Sequence, residues 1–69
     1  MKLSARNQLP ARVTGITRGE ATANVSLDVN GQRLVASITV EAVDQLGIAE
    51  GSEVFAVIKA SDVMVGVEH

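Results

Sequence analysis

The chain has 69 residues, of which 46% are hydrophobic and 20% charged, with one phenylalanine and no cysteine, tryptophan or tyrosine. Disulfides are therefore excluded, and a chain this short buries only about 60% of its unfolded surface, so we expect one domain, residues 1–69, that self-associates. The net charge of −2 disfavours nucleic-acid binding, which usually depends on a basic face.

The first predicted strand begins near Leu9 and ends near Arg18-Gly19, with Pro10 close to its start or at a sheet edge. Its sequence alternates in the manner of a strand, with one face formed by Leu9, Ala11, Val13 and Gly15. The alternation places the opposite face on Pro10, Arg12, Thr14 and Ile16.

A β-hairpin is predicted around Asn30-Gly31, because both central residues of a type I′ turn need positive φ and these two tolerate it. The preceding stretch, 21–29, alternates apolar and polar residues without a break, as a half-buried strand does. Closing the turn at this dipeptide predicts the pairs Val29–Gln32, Asp28–Arg33, Leu27–Leu34, Val25–Ala36, Ala23–Ile38, Thr22–Thr39 and Ala21–Val40.

A short helix is predicted over Glu41–Leu46, with acids in its first turn, Gly47 as its C-terminal cap and Ile48 as the hydrophobic closure of that cap. The run Val54–Ile58 is apolar on both faces, which is typical of a strand buried in a barrel or at a subunit contact. A last short strand is predicted at Met64–Val67.

Five short strands, with one helix between the third and the fourth, predict an all-β protein. The chain is too short for two large sheets, so we expect a small OB-like Greek-key barrel, closed or partly open.

Catalysis is disfavoured by the inventory of reactive groups. The chain has no cysteine nucleophile and a single histidine, His69, at its last position, where a frayed terminus is a better interpretation than a ligand. Pairs of acids beside turns are ordinary solvated residues, and no two Cys or His residues occur together to hold a metal ion. We therefore expect a protein that is not an enzyme and has no metal-ion site.

The chain also lacks the features of membrane and oligonucleotide binding. No run of about 18 apolar residues is present, and Met1-Lys2-Leu3-Ser4 does not lead into a signal peptide, so we expect a cytoplasmic protein. Phe55, the single ring, lies in the most apolar stretch and is better explained as core or interface than as a stacking platform.

Two polar stretches remain, Ser4-Ala5-Arg6-Asn7-Gln8 and Lys59-Ala60-Ser61-Asp62, and each contains a cation and a hydroxyl. A small tetrahedral oxyanion needs donors only, such as guanidinium, ammonium, hydroxyl and free backbone N–H groups. Thr39, just ahead of the predicted helix, fits this set. The composition by itself favours the simpler interpretation, that Arg6 and Lys59 are solvated surface charges and Thr39 is an ordinary helix-entry residue.

These same stretches resemble the molbindin (Mop) family of small bacterial molybdate- and tungstate-binding proteins, and the related TOBE-type domains of molybdenum regulators and transporter ATPases. The most specific part is Ser4-Ala5-Arg6-Asn7-Gln8-Leu9, and it is supported by the segments 46–51 and 57–64. The resemblance implies an OB-like barrel that assembles as a homohexamer, a trimer of dimers, with molybdate or tungstate held at subunit interfaces.

The family pattern, carried onto this sequence, implies that Ser4 donates its hydroxyl and Arg6 its guanidinium, with backbone N–H groups near Ala5 and Arg6 assisting. Lys59 would supply the second positive charge, and the backbone amide of Ala60 would donate.

Thr39 matches a hydroxyl position before the helix in the family pattern. Ala42 stands where related regulator domains have a serine, so only a backbone N–H is available there, and Ser61 is a candidate to compensate. The implied function is intracellular molybdenum storage and homeostasis; the alternative is a ligand-sensing module of a transport or regulation system.

Overall fold

The computed structural model describes residues 2–68, so Met1 and the terminal His69 lie outside the described part of the chain. Four antiparallel strands form one sheet in the order β3-β2-β1-β4, and a short helix follows β3. The elements are β1 Asn7–Arg18, β2 Thr22–Val29, β3 Gln32–Thr39, α1 Val40–Leu46, β4 Glu53–Ile58 and a 3-10 turn at Ala60–Asp62. The prediction of a mostly-β, OB-like fold with one helix between the third and fourth strands is confirmed.

The hairpin has the predicted register from Val29–Gln32 to Thr22–Thr39. Asn30 has φ 51° and Gly31 φ 89°, the positive values that the turn requires. Asp28 also accepts a hydrogen bond of 3.1 Å from the Gly31 amide, which stabilises the turn from the side chain. The last predicted pair is present as a backbone bond of 2.9 Å from Val40 N–H to the Ala21 carbonyl, where β3 passes into the helix.

The predicted alternation of β1 is wrong beyond Val13, because the strand carries a β-bulge between Val13 and Gly15. Val13 pairs with Leu27 and Ile16 pairs with Val25. Between these two pairs, β1 has two residues where β2 has one. After the extra residue, each side chain of β1 lies on the opposite face of the sheet from the one that the alternation predicts. Ile16 consequently packs against the core and does not lie on the polar face.

Helix α1 begins one residue earlier than predicted, after the N-cap residue Thr39, whose hydroxyl oxygen accepts from the Ala42 amide at 3.0 Å. It ends at Gly47, which has a left-handed φ of 64° and donates to the carbonyls of Val43 and Asp44. The helix turns Val43 onto the sheet, where this side chain is 1% exposed. It therefore covers one end of the sheet's inner face.

The core is small and aliphatic. It lies between the inner face of β1 and β2, the helix and one residue of β4, and its members are Ala11, Val13, Ala23, Val25, Leu27, Val43 and Ala56. Each fully buried valine contributes roughly 1.5–3 kcal/mol of transfer free energy, so the chain has little stability to spare.

The predicted fifth strand at Met64–Val67 is wrong for the isolated chain, because the segment after the 3-10 turn pairs with no strand in residues 2–68. Met64 is 93% exposed and Val65 91%. A strand needs a hydrogen-bonded neighbour, and residues 63–68 have none among the described strands. In residues 2–68 no helix is long and apolar enough to cross a membrane.

Candidate anion site

The pairing of β1 with β4 brings the two polar stretches together. The last pair of this ladder joins Asn7 to Ile58, so Arg6 and Lys59 leave the sheet side by side at the same end. The Asn7 side-chain amide donates to the Ile58 carbonyl at 3.1 Å, which ties the two strand ends to each other. The two cations, 53 positions apart in sequence, are thus brought to one end of the sheet by one strand pairing.

Local hydrogen bonds shape both stretches. On the β1 side, the Gln8 side-chain amide donates to the Ala5 carbonyl at 3.2 Å. On the β4 side, Asp62 N–H donates to the Lys59 carbonyl at 2.9 Å, closing the 3-10 turn. The first amides of such a turn have no acceptor within it, so the N–H groups of Ala60 and Ser61 are available to a ligand.

The electrostatics of this end favour an anion. Arg6 and Lys59 are both exposed, and within residues 2–68 the ion pair of the molecule is Arg18–Asp44, at 3.0 Å, elsewhere on the surface. Asp62 lies in the same turn as Lys59 but forms no ion pair with either cation. Neither positive charge is therefore paired with a carboxylate among residues 2–68.

Thr39 and Ala42 lie at the other end of the sheet. Thr39 pairs with Thr22, next to Ala23, which pairs with Arg18 at the far end of β1. The contour of β1 over its 12 residues is about 36 Å, at roughly 3.3 Å per residue. Thr39 is therefore remote from Arg6 along the strand.

The surroundings of Thr39 are acidic. A shallow groove beside it is lined by the three carboxylates Glu20, Glu41 and Asp44. The Ala42 amide is already bound to the Thr39 hydroxyl oxygen, so the hydroxyl proton of Thr39 remains as a side-chain donor here. Of the three carboxylates, Asp44 is paired with Arg18, so an anion at Thr39 would still face those of Glu20 and Glu41.

The structure therefore brings together six of the eight predicted site residues, Ser4, Ala5, Arg6, Lys59, Ala60 and Ser61, and leaves Thr39 and Ala42 apart. Two side chains that position the site, Asn7 and Gln8, had not been predicted as site residues. Their place in the first polar stretch was the available signal; the acceptor of Asn7 depends on strand pairing, whereas that of Gln8 lies three residues away in the same stretch. In residues 2–68 no group of three or more His, Cys, Asp or Glu side chains is placed to hold a metal ion.

Comparison with known proteins identifies the family of the chain. Residues 3–65 match the TOBE domain. The chain belongs to this family. It is 44% identical over 66 residues to molybdenum-pterin-binding protein 1 of Clostridium pasteurianum, and the match covers 94% of this chain and 97% of the relative. The resemblance to the Mop family and its TOBE relatives is thereby confirmed.

Two further matches extend the comparison. The molybdenum import ATP-binding protein ModC of Brucella abortus is 50% identical over 62 residues, which are 88% of this chain but 17% of that protein. A solved molybdate-binding protein from Sporomusa ovata superposes with a TM-score of 0.93 at 39% identity, over 97% of this chain and all of the other. The Clostridium relative is named for binding molybdenum-pterin and the Sporomusa protein for binding molybdate, whereas ModC is named as an ATP-binding protein of molybdenum import.

Proposed function

We propose that this TOBE-domain protein binds molybdate or tungstate at sites shared between copies of the chain, and serves intracellular storage and homeostasis of the metal. The observation that supports the proposal is the β1–β4 register, which brings Arg6 and Lys59 to the same end of the sheet, with no carboxylate of residues 2–68 paired to either. The similarity to molybdenum- and molybdate-binding proteins supports the same ligand class.

The donor set suits a fully deprotonated dianion. Guanidinium and ammonium groups, the hydroxyls of Ser4 and Ser61 and the free amides of the 3-10 turn can all donate, and none of these groups needs to accept a proton. Molybdate is a dianion at neutral pH, whereas phosphate mostly retains a proton that requires an acceptor. A ring of donors therefore favours molybdate or tungstate over phosphate.

A second copy is part of the proposal because of where Thr39 lies. One chain carries the two cations at one end of β1 and the Thr39 hydroxyl at the other, among carboxylates. Cations of one copy facing the helix start of another would supply the positive charge that Thr39 lacks in its own chain. We infer that the assembly is the homohexamer that the resemblance to the Mop family implies, with anions at its subunit boundaries.

Isothermal titration with molybdate and tungstate tests this function, with sulfate and phosphate as competing anions. The variant Arg6→Ala should weaken molybdate binding about 10- to 150-fold, since a charged hydrogen bond contributes roughly 1.5–3 kcal/mol. Lys59→Ala should do the same.

Arg33→Ala is the matched control, because it removes an exposed cation that bonds Ser26 on the outer face of the hairpin. Absence of a molybdate signal for the unmodified chain would refute the function. Equal losses for Arg6→Ala and Arg33→Ala would refute the site.

The similarity to a segment of ModC favours one second candidate, a sensing module that reports molybdate to a transport protein. For this candidate, molybdate should change the affinity of the chain for a transporter ATPase subunit in a pull-down. A storage protein should show no such partner.

A further inference from the structure

We propose that Asn30 is a site of spontaneous chemical modification, deamidation through a succinimide, and that the Asp28 carboxylate slows this reaction by holding the Gly31 amide. Neither an oxyanion nor a second copy of the chain takes part in the reaction. The proposed function and the modification can therefore fail separately.

The tip of the β2–β3 hairpin combines a reactive amide with an unhindered backbone nitrogen. Asparagine is among the residues that are chemically labile in proteins. Its neighbour Gly31 has no Cβ, so no side chain of residue 31 blocks the approach to its nitrogen. Asn30 and Gly31 are both exposed, so water reaches them. The dipeptide thus contains every reactant that deamidation requires.

The reaction balances with water as its one co-reactant. The Gly31 nitrogen loses its proton to solvent and forms a bond to Asn30 Cγ, while the side-chain nitrogen takes up a proton and leaves as ammonia. The product is a five-membered succinimide. Water then breaks one of its two C–N bonds. Cleavage at Cγ gives aspartate, and cleavage at the main-chain carbonyl gives isoaspartate, in which the backbone runs through Cγ.

The folded turn opposes ring closure. Among residues 2–68, Asn30 is the one residue other than glycine with a positive φ, at 51°. A left-handed residue has ψ of about +47°, which points the next nitrogen away from the residue's own Cβ. The succinimide needs that nitrogen and Cβ on the same side of the Cα–C bond. The turn must therefore open before Asn30 can react.

Asp28 holds the turn closed at the reacting nitrogen. The Gly31 N–H donates to Asp28 Oδ1 at 3.1 Å, and this bond must break when the turn opens. The same carboxylate holds the proton that has to leave, and its negative charge disfavours the amide anion that attacks. Asp28 consequently opposes both the opening of the turn and the activation of the nucleophile.

Exposure alone does not select the site. Asn24 is also exposed, but it lies within β2, paired with Thr17 on one side and Ser37 on the other, and the branched Val25 follows it. Asn7 donates its side-chain amide to a carbonyl of β4. These two asparagines serve as internal references that should remain intact while Asn30 reacts.

Modification would disturb the hairpin beyond its tip. Isoaspartate adds one main-chain atom to a turn of two residues, so the pair Val29–Gln32 can no longer close it with the same geometry. The register of the same hairpin holds Thr39 opposite Thr22. A change at one exposed residue therefore weakens the pairing that places the helix start.

The first measurement compares the folded chain with the same full chain unfolded in guanidinium chloride, both in mildly alkaline buffer. Mass spectrometry of peptides follows the replacement of NH₂ by OH at residue 30, and chromatography separates aspartate from isoaspartate. Asn30 should react at least about tenfold more slowly in the folded chain, because the turn must open first. An intact Asn30 in the unfolded chain, or equal rates in the two states, would overturn the proposal.

Variants of Asp28 test its role. Asp28→Ala should speed deamidation of the folded chain by about 5- to 10-fold, or about 1–1.4 kcal/mol, the net contribution of one hydrogen bond. Asp28→Asn keeps an acceptor at the same place and should stay within about twofold of the unmodified chain. If Asp28→Ala reacts at the unmodified rate or more slowly, or if Asp28→Asn reacts as fast as Asp28→Ala, Asp28 does not protect the turn.

Arg33→Ala is the matched control. Arg33 is the cross-strand partner of Asp28, so its removal alters the same pair on the same face but leaves the Gly31–Asp28 bond in place. Its deamidation rate should stay within about twofold of that of the unmodified chain, since an exposed charge pair contributes little to stability. If Arg33→Ala reacts as fast as Asp28→Ala, general loosening of the hairpin explains the rate and the inference is overturned.

Discussion

Thr39 allows the structural and ligand-binding roles of one side chain to be separated. Its hydroxyl oxygen caps the helix by accepting from the Ala42 amide at 3.0 Å, and its backbone, with φ −73° and ψ 150°, has ordinary N-cap geometry. Thr39→Ala removes this bond and should cost about 1 kcal/mol of unfolding free energy. For a chain of 69 residues this corresponds to a fall in Tm of about 4–8 °C.

Thr39→Asp should restore the cap and damage the site. Aspartate is at least as good an N-cap as threonine, so the Tm should return to within about 2 °C of the unmodified protein. Its carboxylate would face the bound dianion. Two negative charges against one at about 4 Å repel by about 2 kcal/mol even at the dielectric constant of water, which is about a 30-fold loss of affinity.

The assay pairs thermal melting without molybdate with isothermal titration of the same samples. Thr39→Ser, which keeps the hydroxyl, and Ala49→Asp, which adds a charge in a distant turn, are the controls and should bind molybdate normally. If Thr39→Asp binds molybdate as tightly as the unmodified chain, Thr39 is not part of the site. There is then no reason to place this end of a second copy against Arg6 and Lys59. A Tm as low as that of Thr39→Ala would refute the assignment of the cap.

The fold leads to three further predictions, each for the free energy of unfolding of a variant as measured by urea unfolding. Gly47→Ala should destabilise the chain by about 1–2 kcal/mol, because Gly47 holds a left-handed φ of 64° that a Cβ opposes. Val43→Ala should cost about 2–3 kcal/mol, since it deletes two carbons from a side chain that is 1% exposed and leaves a cavity; a loss below 1 kcal/mol would mean that the helix is not part of the core. Asp44→Asn should change stability by less than about 1 kcal/mol, because both partners of the Arg18–Asp44 pair are largely exposed.

Local signals predicted most of the fold. Asn30-Gly31 specifies its own turn, and the alternation on either side allows one register, so the hairpin could be written out pair by pair. Gly47 ends the helix for a reason that is equally local, the left-handed conformation of its own backbone. The bulge at Val13–Gly15 could not be anticipated, because it depends on how β1 bends over its partner and not on a residue pattern within β1.

The candidate site was predicted in part. The two polar stretches were recognised by the residue types they contain, and the resemblance to the Mop family attached an oxyanion to them. Sequence could not say that Thr39 lies at the opposite end of β1, among carboxylates, since that follows from the strand pairing. The role of Asn7 was missed for the same reason, because its acceptor lies on β4.

The sequence by itself determined the secondary structure and the kind of chemistry available, because turn dipeptides, period-two alternation and an inventory of donors are properties of neighbouring residues. The tertiary structure decided which distant residues meet. The β1–β4 ladder ends at the pair Asn7–Ile58 and so brings Arg6 and Lys59 to the same end of the sheet, whereas the predicted fifth strand, Met64–Val67, pairs with no strand in residues 2–68. Both results depend on strand pairing, which brings together residues that no local pattern relates.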